Sequence, residues 1–126
     1  MNEQAKKEVS LFLRSYEIAA NTYNFENVRP LIALDAVYFF SDQTLNGISE
    51  IEQAFIHTWS KLNNDTYKIV DVRWIEVTER MAACVYRFEW TTVINGLSKS
   101  GSGRGTNVLK KVDDSWLVLH EHLSSL

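Results

Sequence analysis

The sequence predicts an α+β fold in which three N-terminal helices pack on a curved antiparallel sheet, giving a cone-like shape with an internal pocket. Apolar residues recur at three- and four-residue steps before residue 64 and at every second residue after it. Asn95-Gly96 and Asp113-Asp114 each separate two strand patterns, as tight hairpin turns do. We therefore expect one domain over residues 1–126, with consecutive antiparallel strands after the helices.

Composition supports one core and excludes two classes of partner. The 126 residues are 45% hydrophobic, which is enough for a single buried core. The 13 basic and 16 acidic side chains are spread along the chain and give a net charge of −3, so no basic block faces nucleic-acid phosphates. No apolar run approaches the roughly 20 residues of a membrane span, and the start of the chain lacks the apolar core of a signal peptide. We expect a soluble, cytoplasmic protein without nucleic-acid or membrane partners.

The first half of the chain has the pattern of two helices and a strand. Apolar residues from Ala5 to Tyr23 follow helical spacing and predict a long amphipathic helix over Glu3–Tyr23. Asn24 is placed to cap a short helix through FENVRPLI, whose last turn contains Pro30. The strand VYFF follows, with Tyr38 and Phe40 on one face, and SDQTLNG is typical of a polar loop.

A third helix is predicted over SEIEQAFIHTWSKL, with Ser49 as its cap. Ile51, Phe55, Trp59 and Leu62 lie along one side, and Asn63-Asn64-Asp65 ends the helix. His57 projects away from that side, so we expect an exposed histidine.

Four strands fill the rest of the chain, in the segments TYKIVDVRWIEV, AACVYRFEWTTVI, the glycine-rich run into TNVLKKV, and WLVLHEHL. The single cysteine, Cys84, excludes an intramolecular disulfide and is expected to be a small buried residue.

The three glycines at 101, 103 and 105 do not open a helix, so they are not a phosphate loop. Tight closure at Asn95-Gly96 instead places them opposite large rings, which would fold over them: Trp90, Phe88 and Tyr86 respectively.

The register of the last hairpin decides which polar groups face the helices. Closure at Asp113-Asp114 places Asn107 opposite His120 and Gly105 opposite His122. On this register the inner face also carries Asp71 and Arg73. The outer face then carries an apolar and charged set: Val70, Val72, Trp74, Val85, Arg87, Glu89, Arg104, Thr106, Leu119, Glu121 and Leu123. A one-residue bulge in any hairpin would invert these assignments for one strand.

The order of elements resembles the nuclear transport factor 2-like fold, in which helices cover one side of a curved sheet. The C-terminal hairpin TNVLKKVDDSWLVLHEHLS is similar to that of the SnoaL-like and calcium/calmodulin-dependent kinase II association-domain branch. The matching positions are Thr106, Val108, Asp113, Trp116, His120, His122 and Ser124, together with Ala82–Cys84. Asp114 stands where a turn glycine is usual, and Asn107 stands where the association domain has a pocket arginine, which weakens the expectation of a small carboxylate ligand. The resemblance implies a cavity and a sheet-to-sheet dimer.

Three interpretations of the inner polar groups stay open. His120 and His122 share a face and could bind a metal with Asp71 as third ligand, or could be satisfied by Asn107, tyrosine or backbone groups. Alternatively, His120 or Asp71 acts as a general base in an aromatic cavity, although the neighbouring Arg73 would favour an ionised Asp71. Our predicted site has no metal and no cofactor. Its catalytic candidates are His120 and Asp71, and its ligand-binding candidates are Tyr38, Trp59, Arg73, Tyr86, Phe88, Trp90, Asn107 and His122.

Two functions follow from this pocket. One is a small-molecule-binding or assembly domain, and the other is an isomerase, cyclase or dehydratase that acts on a cyclic or polyketide-like compound by general acid/base chemistry. For either function we expect a homodimer through the outer, convex sheet face, because Val72, Trp74, Val85 and Leu119 would otherwise form an apolar patch in water.

Overall fold

A computed structural model describes residues 1–61 and 65–126. The helices are α1 (Glu3–Ala20), α2 (Phe25–Val28) and α3 (Ile48–Ser60), with a 3₁₀ turn at Arg29–Leu31. The strands are β1 (Ile32–Phe40), β2 (Gln43–Asn46), β3 (Thr66–Val77), β4 (Met81–Ile94), β5 (Leu97–Val112) and β6 (Ser115–Ser125). The predictions for Leu62, Asn63 and Asn64 lie outside the described residues. None of the helices in the described ranges is long and apolar enough to cross a membrane.

In the described residues, six strands form one sheet in the order β2-β1-β6-β5-β4-β3. The helices pack on the sheet, so the predicted α+β fold is confirmed. Strands β3 to β6 are antiparallel neighbours as predicted, whereas β1 pairs with β6 in parallel. The segment SDQTLNG was predicted to be a loop, but part of it forms β2, which pairs with β1. The sheet is therefore mixed. After α3 the chain returns to the far edge of the sheet, where it forms β3.

Helix α1 begins at a side-chain cap and presents one apolar stripe to the sheet. The side chain of Asn2 accepts a hydrogen bond from the backbone N–H of Ala5 at 2.9 Å. The buried residues follow the predicted spacing: Ala5, Val9, Leu13, Tyr16, Ala19 and Ala20. Tyr23, which was included in the predicted helix, lies beyond its end with φ 60°. The first turn and the stripe are thus readable from sequence, whereas the last residues are not.

The C-terminal part of α1 covers the free edge of the sheet. Strand β3 stands at one end of the strand order, so among the residues that the structure describes its outer backbone groups face no further strand. Glu17 accepts a hydrogen bond from the N–H of Ile69 at 2.6 Å, and Asn21 exchanges two bonds of 2.8 Å with the backbone of Tyr67. These bonds fix the distance between α1 and β3, which form one side of the site.

Helix α3 begins two residues earlier than the predicted cap allows. Its N-cap is Gly47 at φ 85°, a left-handed conformation that favours glycine, and Ser49 lies inside the helix, so the predicted cap is wrong. Glu50 instead accepts a hydrogen bond from the N–H of Asn46 at 2.7 Å. His57 is exposed, as predicted.

Both predicted hairpin turns are present, with positive φ at Asn95, Gly96, Asp113 and Asp114. Strands β4 and β5 keep the predicted register throughout, with Tyr86, Phe88 and Trp90 opposite Gly105, Gly103 and Gly101. A Cβ atom added at any of these three glycines would overlap the ring opposite. The predicted packing of rings over glycines is therefore confirmed.

The β5–β6 hairpin starts in the predicted register but does not keep it. Leu109 pairs with Val118, and the next pair is Val108 with His120, so Leu119 is an extra residue on β6. Beyond this bulge Asn107 pairs with Glu121 and Thr106 with His122. The predicted pairing of Asn107 with His120 and Gly105 with His122 is wrong by one residue, and every side chain after Leu119 changes face.

Strand β3 has its own irregularity. The register shifts between Val70 and Arg73, where Asp71 has φ 55°. Val72 and Trp74 consequently turn toward α1 and line a groove together with Leu13, and Trp74 is buried in the core. The prediction that Val72 and Trp74 belong to the outer face is wrong for this reason.

Candidate active site

A cavity of about 260 Å³ lies between α1, α3 and the inner face of the sheet. Its walls are supplied by the C-terminal halves of both helices, the ends of β1 and β6, the start of β3 and the middle of β4. The lining residues are Tyr16, Ala20, Asn21, Phe40, Ser41, Ala54, Phe55, Thr58, Trp59, Asp65, Tyr67, Phe88, Glu121, Leu123, Ser124 and Ser125. Most of the surface is apolar, with polar groups at the floor and at the rim.

Glu121 is the polar group at the floor of the cavity. The bulge at Leu119 turns this side chain inward, where it is only 2% exposed. Burial raises the pKa of its carboxyl group to about 7, although hydrogen bonds from Tyr16 and Asn107 favour the ionised form and limit the rise. A carboxyl group with this pKa exchanges protons readily near neutral pH.

Glu121 belongs to a buried network of hydrogen bonds. The amide nitrogen of Asn107 lies 3.3 Å from Oε1 of Glu121, and the amide oxygen of Asn107 accepts a bond of 2.8 Å from the hydroxyl of Tyr86. On the other side, the hydroxyls of Tyr16 and Tyr38 are 2.7 Å apart. Because each hydroxyl has one proton, Tyr38 donates to Tyr16 when Tyr16 donates to ionised Glu121.

The tyrosines around Glu121 keep their protons throughout the physiological pH range. Burial, and then the negative charge of Glu121, raise the pKa values of Tyr38, Tyr67 and Tyr86 well above their usual range, and Tyr16 behaves in the same way. Glu121 is thus the proton-exchanging group of this network, and the tyrosines are neutral donors beside it.

Aromatic side chains form the walls of the cavity. Trp59 of α3 stacks on Tyr23, with ring centroids 5.8 Å apart, and packs against Phe55 at 5.3 Å. On the sheet side Phe88 packs against Tyr67, with a centroid distance of 5.9 Å. Apolar walls around a few polar groups are the usual composition of a small-molecule site.

The rim of the cavity is more exposed than its floor. Asn21, Ser41 and Thr58 are exposed, whereas Asp65 is half-buried. Burial raises the pKa of the Asp65 carboxyl group, partly offset by a hydrogen bond from the backbone of Thr66. The cavity thus has one carboxyl group at its rim, Asp65, and one at its floor, Glu121.

Several predicted ligand-binding residues lie on this inner side. Trp59 and Phe88 line the cavity, while Tyr38, Tyr86 and Asn107 form the network behind Glu121. Trp90 packs over Gly101 and contributes to the core rather than to the cavity wall.

The two predicted histidines lie on the other side of the sheet, so their predicted placement is wrong. The bulge at Leu119 turns both of them outward, where they pack on the ring of Phe39 with centroid distances of 5.0 Å for His120 and 5.7 Å for His122. Nδ1 of His120 lies 2.6 Å from the carbonyl oxygen of Val37 and donates to it.

Asp71 and Arg73 were also predicted on the inner face, and both lie outside. The β3 irregularity places them in a shallow groove of the outer face together with His122. Asp71 pairs there with Arg87 at 3.2 Å. Within the described ranges no group of three or more metal-binding side chains is assembled, so Asp71 does not complete a metal site with the histidines.

Cys84 is fully buried, as predicted, and burial raises the pKa of its thiol to about 12. It therefore stays protonated and is not a nucleophile.

Sequence reasoning missed Glu121 and Tyr16 as site residues. Tyr16 has the spacing of an ordinary core residue of α1, and Glu121 was assigned to the outer face by a register that lacks the bulge. The available signal was that one acidic residue, Glu121, lies between two histidines in an apolar strand. This alternation does not determine whether the acidic residue or the histidines face inward.

The sequence matches the SnoaL-like domain family over residues 9–126. No curated protein is similar enough to match. Among solved structures, a nuclear transport factor 2-like superfamily protein from Salmonella enterica is 20% identical with a TM-score of 0.88, covering 99% of this chain and 93% of that one. The predicted resemblance is therefore confirmed.

Two further structures have related descriptions. A "putative calcium/calmodulin dependent protein kinase II association domain" from Xanthomonas campestris is 24% identical, with a TM-score of 0.84 and coverage of 94% and 86%. A "putative dehydratase from the NTF2-like family" from Streptomyces avermitilis is 16% identical, with a TM-score of 0.88 and coverage of 98% of both chains. At these identities the likeness shows the fold alone.

Proposed function

Because the chain belongs to the SnoaL-like domain family, we propose that its cavity binds a small, mostly apolar molecule and that Glu121 transfers a proton on it. The observation that carries this proposal is a fully buried carboxyl group with a pKa of about 7 at the floor of an apolar cavity. A group of this kind is half ionised at neutral pH and is suited to act as a general base and then as an acid.

The reaction class is proton abstraction next to a carbonyl group. Ionised Glu121 removes a proton from the carbon adjacent to the carbonyl, and the electron pair moves onto the carbonyl oxygen. Tyr16 and Tyr67 line the same cavity and keep their protons. As Glu121 takes the proton from carbon it no longer accepts the hydroxyl of Tyr16, so this hydroxyl and that of Tyr67 become the donors to the developing oxyanion. Return of the proton to another carbon gives an isomerase, and loss of a neighbouring hydroxyl as water gives a dehydratase.

The replacement Glu121→Gln tests this proposal, because glutamine keeps the shape of glutamate and one acceptor oxygen without its proton exchange. We expect turnover of unsaturated cyclic ketones, followed by ultraviolet absorbance, to fall by about 10² to 10⁴-fold. Glu89→Gln is the matched control, since Glu89 lies beside Arg87 on the outer face. A Glu121→Gln protein that turns over substrate at the wild-type rate would contradict the proposal.

A second candidate is binding without turnover. It is supported by the internal satisfaction of the network, since Asn107 and Tyr16 already bond the carboxylate of Glu121. Under this alternative Glu121→Gln binds the same ketones as the wild type, and neither protein converts them.

We also propose that the outer sheet face joins two copies of the chain. Phe39 is 38% exposed there. The charged residues on this face have both signs: Arg73 and Arg104 are positive, and Asp71 and Glu89 are negative. A twofold axis allows unlike charges to meet across such a face. Trp74, which lies in the core, is not part of this face.

Light scattering tests the dimer. We expect a dimer mass for the wild type and a monomer mass for Val85→Glu, with Val112→Glu near the exposed β5–β6 turn as the control. A monomeric wild type would refute the dimer, and a dimeric Val85→Glu would refute this choice of face.

A further inference from the structure

The charge of the cavity lining restricts what can enter it. Among the described residues that line the cavity there are two carboxyl groups, Asp65 and Glu121, and no lysine, arginine or histidine. An anionic ligand would meet like charge at the rim and at the floor with no compensating cation. A neutral or cationic ligand meets no such penalty.

The carboxyl group of Asp65 is incompletely satisfied. Its Oδ1 atom is buried and has no hydrogen-bond partner within the described ranges. A buried carboxylate oxygen without a donor is costly, because it has lost water and gained nothing in exchange. A donor from a bound molecule would restore the missing bond.

An aromatic surface lies beside this carboxyl group. Trp59 lines the cavity together with Asp65, and its ring is backed by Tyr23 and Phe55. Negative charge at Asp65 also contributes, after burial, to the raised pKa of Tyr23, which places the carboxylate close to this ring cluster. A carboxylate that lines the same cavity as an aromatic ring is a favourable environment for an ammonium group.

We infer that the ligand is a small aromatic or alicyclic amine that also carries the carbonyl group on which Glu121 acts, with its ammonium group bound to Asp65 at the rim and its carbonyl end toward Glu121. This inference rests on the proposed binding role of the cavity and adds the chemical class of the ligand. Asp65 selects the amine, and the aromatic walls hold the ring. Glu121 then faces the end of the ligand that lies away from the charge.

Three matched probes test the inference by calorimetric titration at pH 7.5: 2-phenylethylamine, 2-phenylethanol and 3-phenylpropanoate. We expect the amine to bind at least about tenfold more tightly than the alcohol, and the carboxylate to bind most weakly. In Asp65→Asn the affinity for the amine falls to that for the alcohol, while the affinity for the alcohol is unchanged. Asp113→Asn, in the exposed β5–β6 turn, is the control and keeps the preference.

A second readout separates a ligand-binding Asp65 from a structural one. Because Oδ1 has no hydrogen-bond partner among the described residues, Asp65→Asn should melt at the same temperature as the wild type or higher, as expected where a site keeps an unsatisfied group for its ligand. A lower melting temperature, an unchanged amine preference in Asp65→Asn, or failure of all three probes to bind would overturn the inference. Equal affinities of the wild-type protein for the amine and the alcohol would refute the inference alone, whereas the proposed proton transfer fails only in the separate turnover test of Glu121→Gln.

Discussion

The two hairpins that share β5 differ in one respect that determines the site. The β4–β5 hairpin keeps the register set by Asn95-Gly96 along its whole length, whereas the β5–β6 hairpin shifts by one residue at Leu119. In the first, the rings of Tyr86 and Phe88 lie over glycines. In the second, the shift turns Glu121 inward and the two histidines outward. The regular pair contributes to the wall of the cavity, and the irregular pair supplies its buried carboxyl group.

The largest expected effect is on the regular hairpin. In Gly103→Ala the added Cβ would overlap the ring of Phe88 and the backbone carbonyl of Ser124, and the carbonyl has no freedom to move away. We expect the free energy of unfolding to fall by about 3 kcal/mol. Urea denaturation measures this loss. The control Ser102→Ala, on the other face of the same strand, should change it by less than about 0.5 kcal/mol, and equal effects of the two changes would contradict the predicted packing.

The second prediction concerns the pH dependence of stability. The unfolded chain releases the Glu121 proton near the ordinary pKa of 4.5, whereas the folded protein retains it until about pH 7. The folded state therefore binds more protons in this window, and the free energy of unfolding falls as the pH rises, by roughly 3 kcal/mol in total from this group. Above pH 7 the loss is complete.

Denaturation of wild-type and Glu121→Gln proteins between pH 4.5 and 7.5 tests this slope. The wild type should lose stability across the window, and the variant should lose much less. Glu89→Gln should follow the wild type. Parallel curves for wild type and Glu121→Gln would indicate that Glu121 is not buried as described.

A smaller effect is expected when the bulge itself is removed. Deletion of Leu119 leaves Val118 opposite Leu109 and His120 opposite Val108, so the faces of the later residues do not change. Leu119 is only partly buried, and we expect a loss of about 1–2 kcal/mol from its packing. The deletion variant should keep the pH-dependent slope of Glu121. Loss of that slope would show that the extra residue is needed to hold Glu121 inside.

The smallest effect is expected on the outer face. His122 is exposed and touches Phe39, so His122→Ala should alter the free energy of unfolding by less than about 0.5 kcal/mol. Turnover in the cavity should be unchanged, because the imidazole and Glu121 lie on opposite faces of the sheet. A tenfold loss of turnover would contradict this placement.

Sequence patterns predict those features that depend on local chemistry. The stripe of α1, the two turns with positive φ and the packing of rings over glycines all follow from residue type and spacing, and all are present. Whether a bulge forms depends instead on which register of the strand gives its buried side chains the better packing and hydrogen-bond partners. In β6 the shifted register brings Leu123 to the cavity and the carboxyl of Glu121 within reach of Tyr16 and Asn107, and these partners come from distant segments. The periodicity of β6 alone therefore does not predict these distant partners.

The same reason explains the errors on β3. Asp71 takes a left-handed conformation, and the strand turns Val72 and Trp74 toward α1, where Leu13 supplies the apolar contact. A pattern that alternates along the whole strand predicts instead that Asp71 and Arg73 face the cavity. The interior side of each strand could be predicted only as far as its first irregularity.

The pKa of Glu121 tests the account most directly. Carbon-13 labelling of glutamate side chains gives one carboxyl resonance for each residue, and comparison with Glu121→Gln identifies the resonance of Glu121. We expect a titration midpoint of about 7, because the carboxyl group is buried beside Tyr16 and Asn107. A midpoint near the ordinary value of 4.5 would contradict it, since that carboxyl group would face water on the outer side of the sheet.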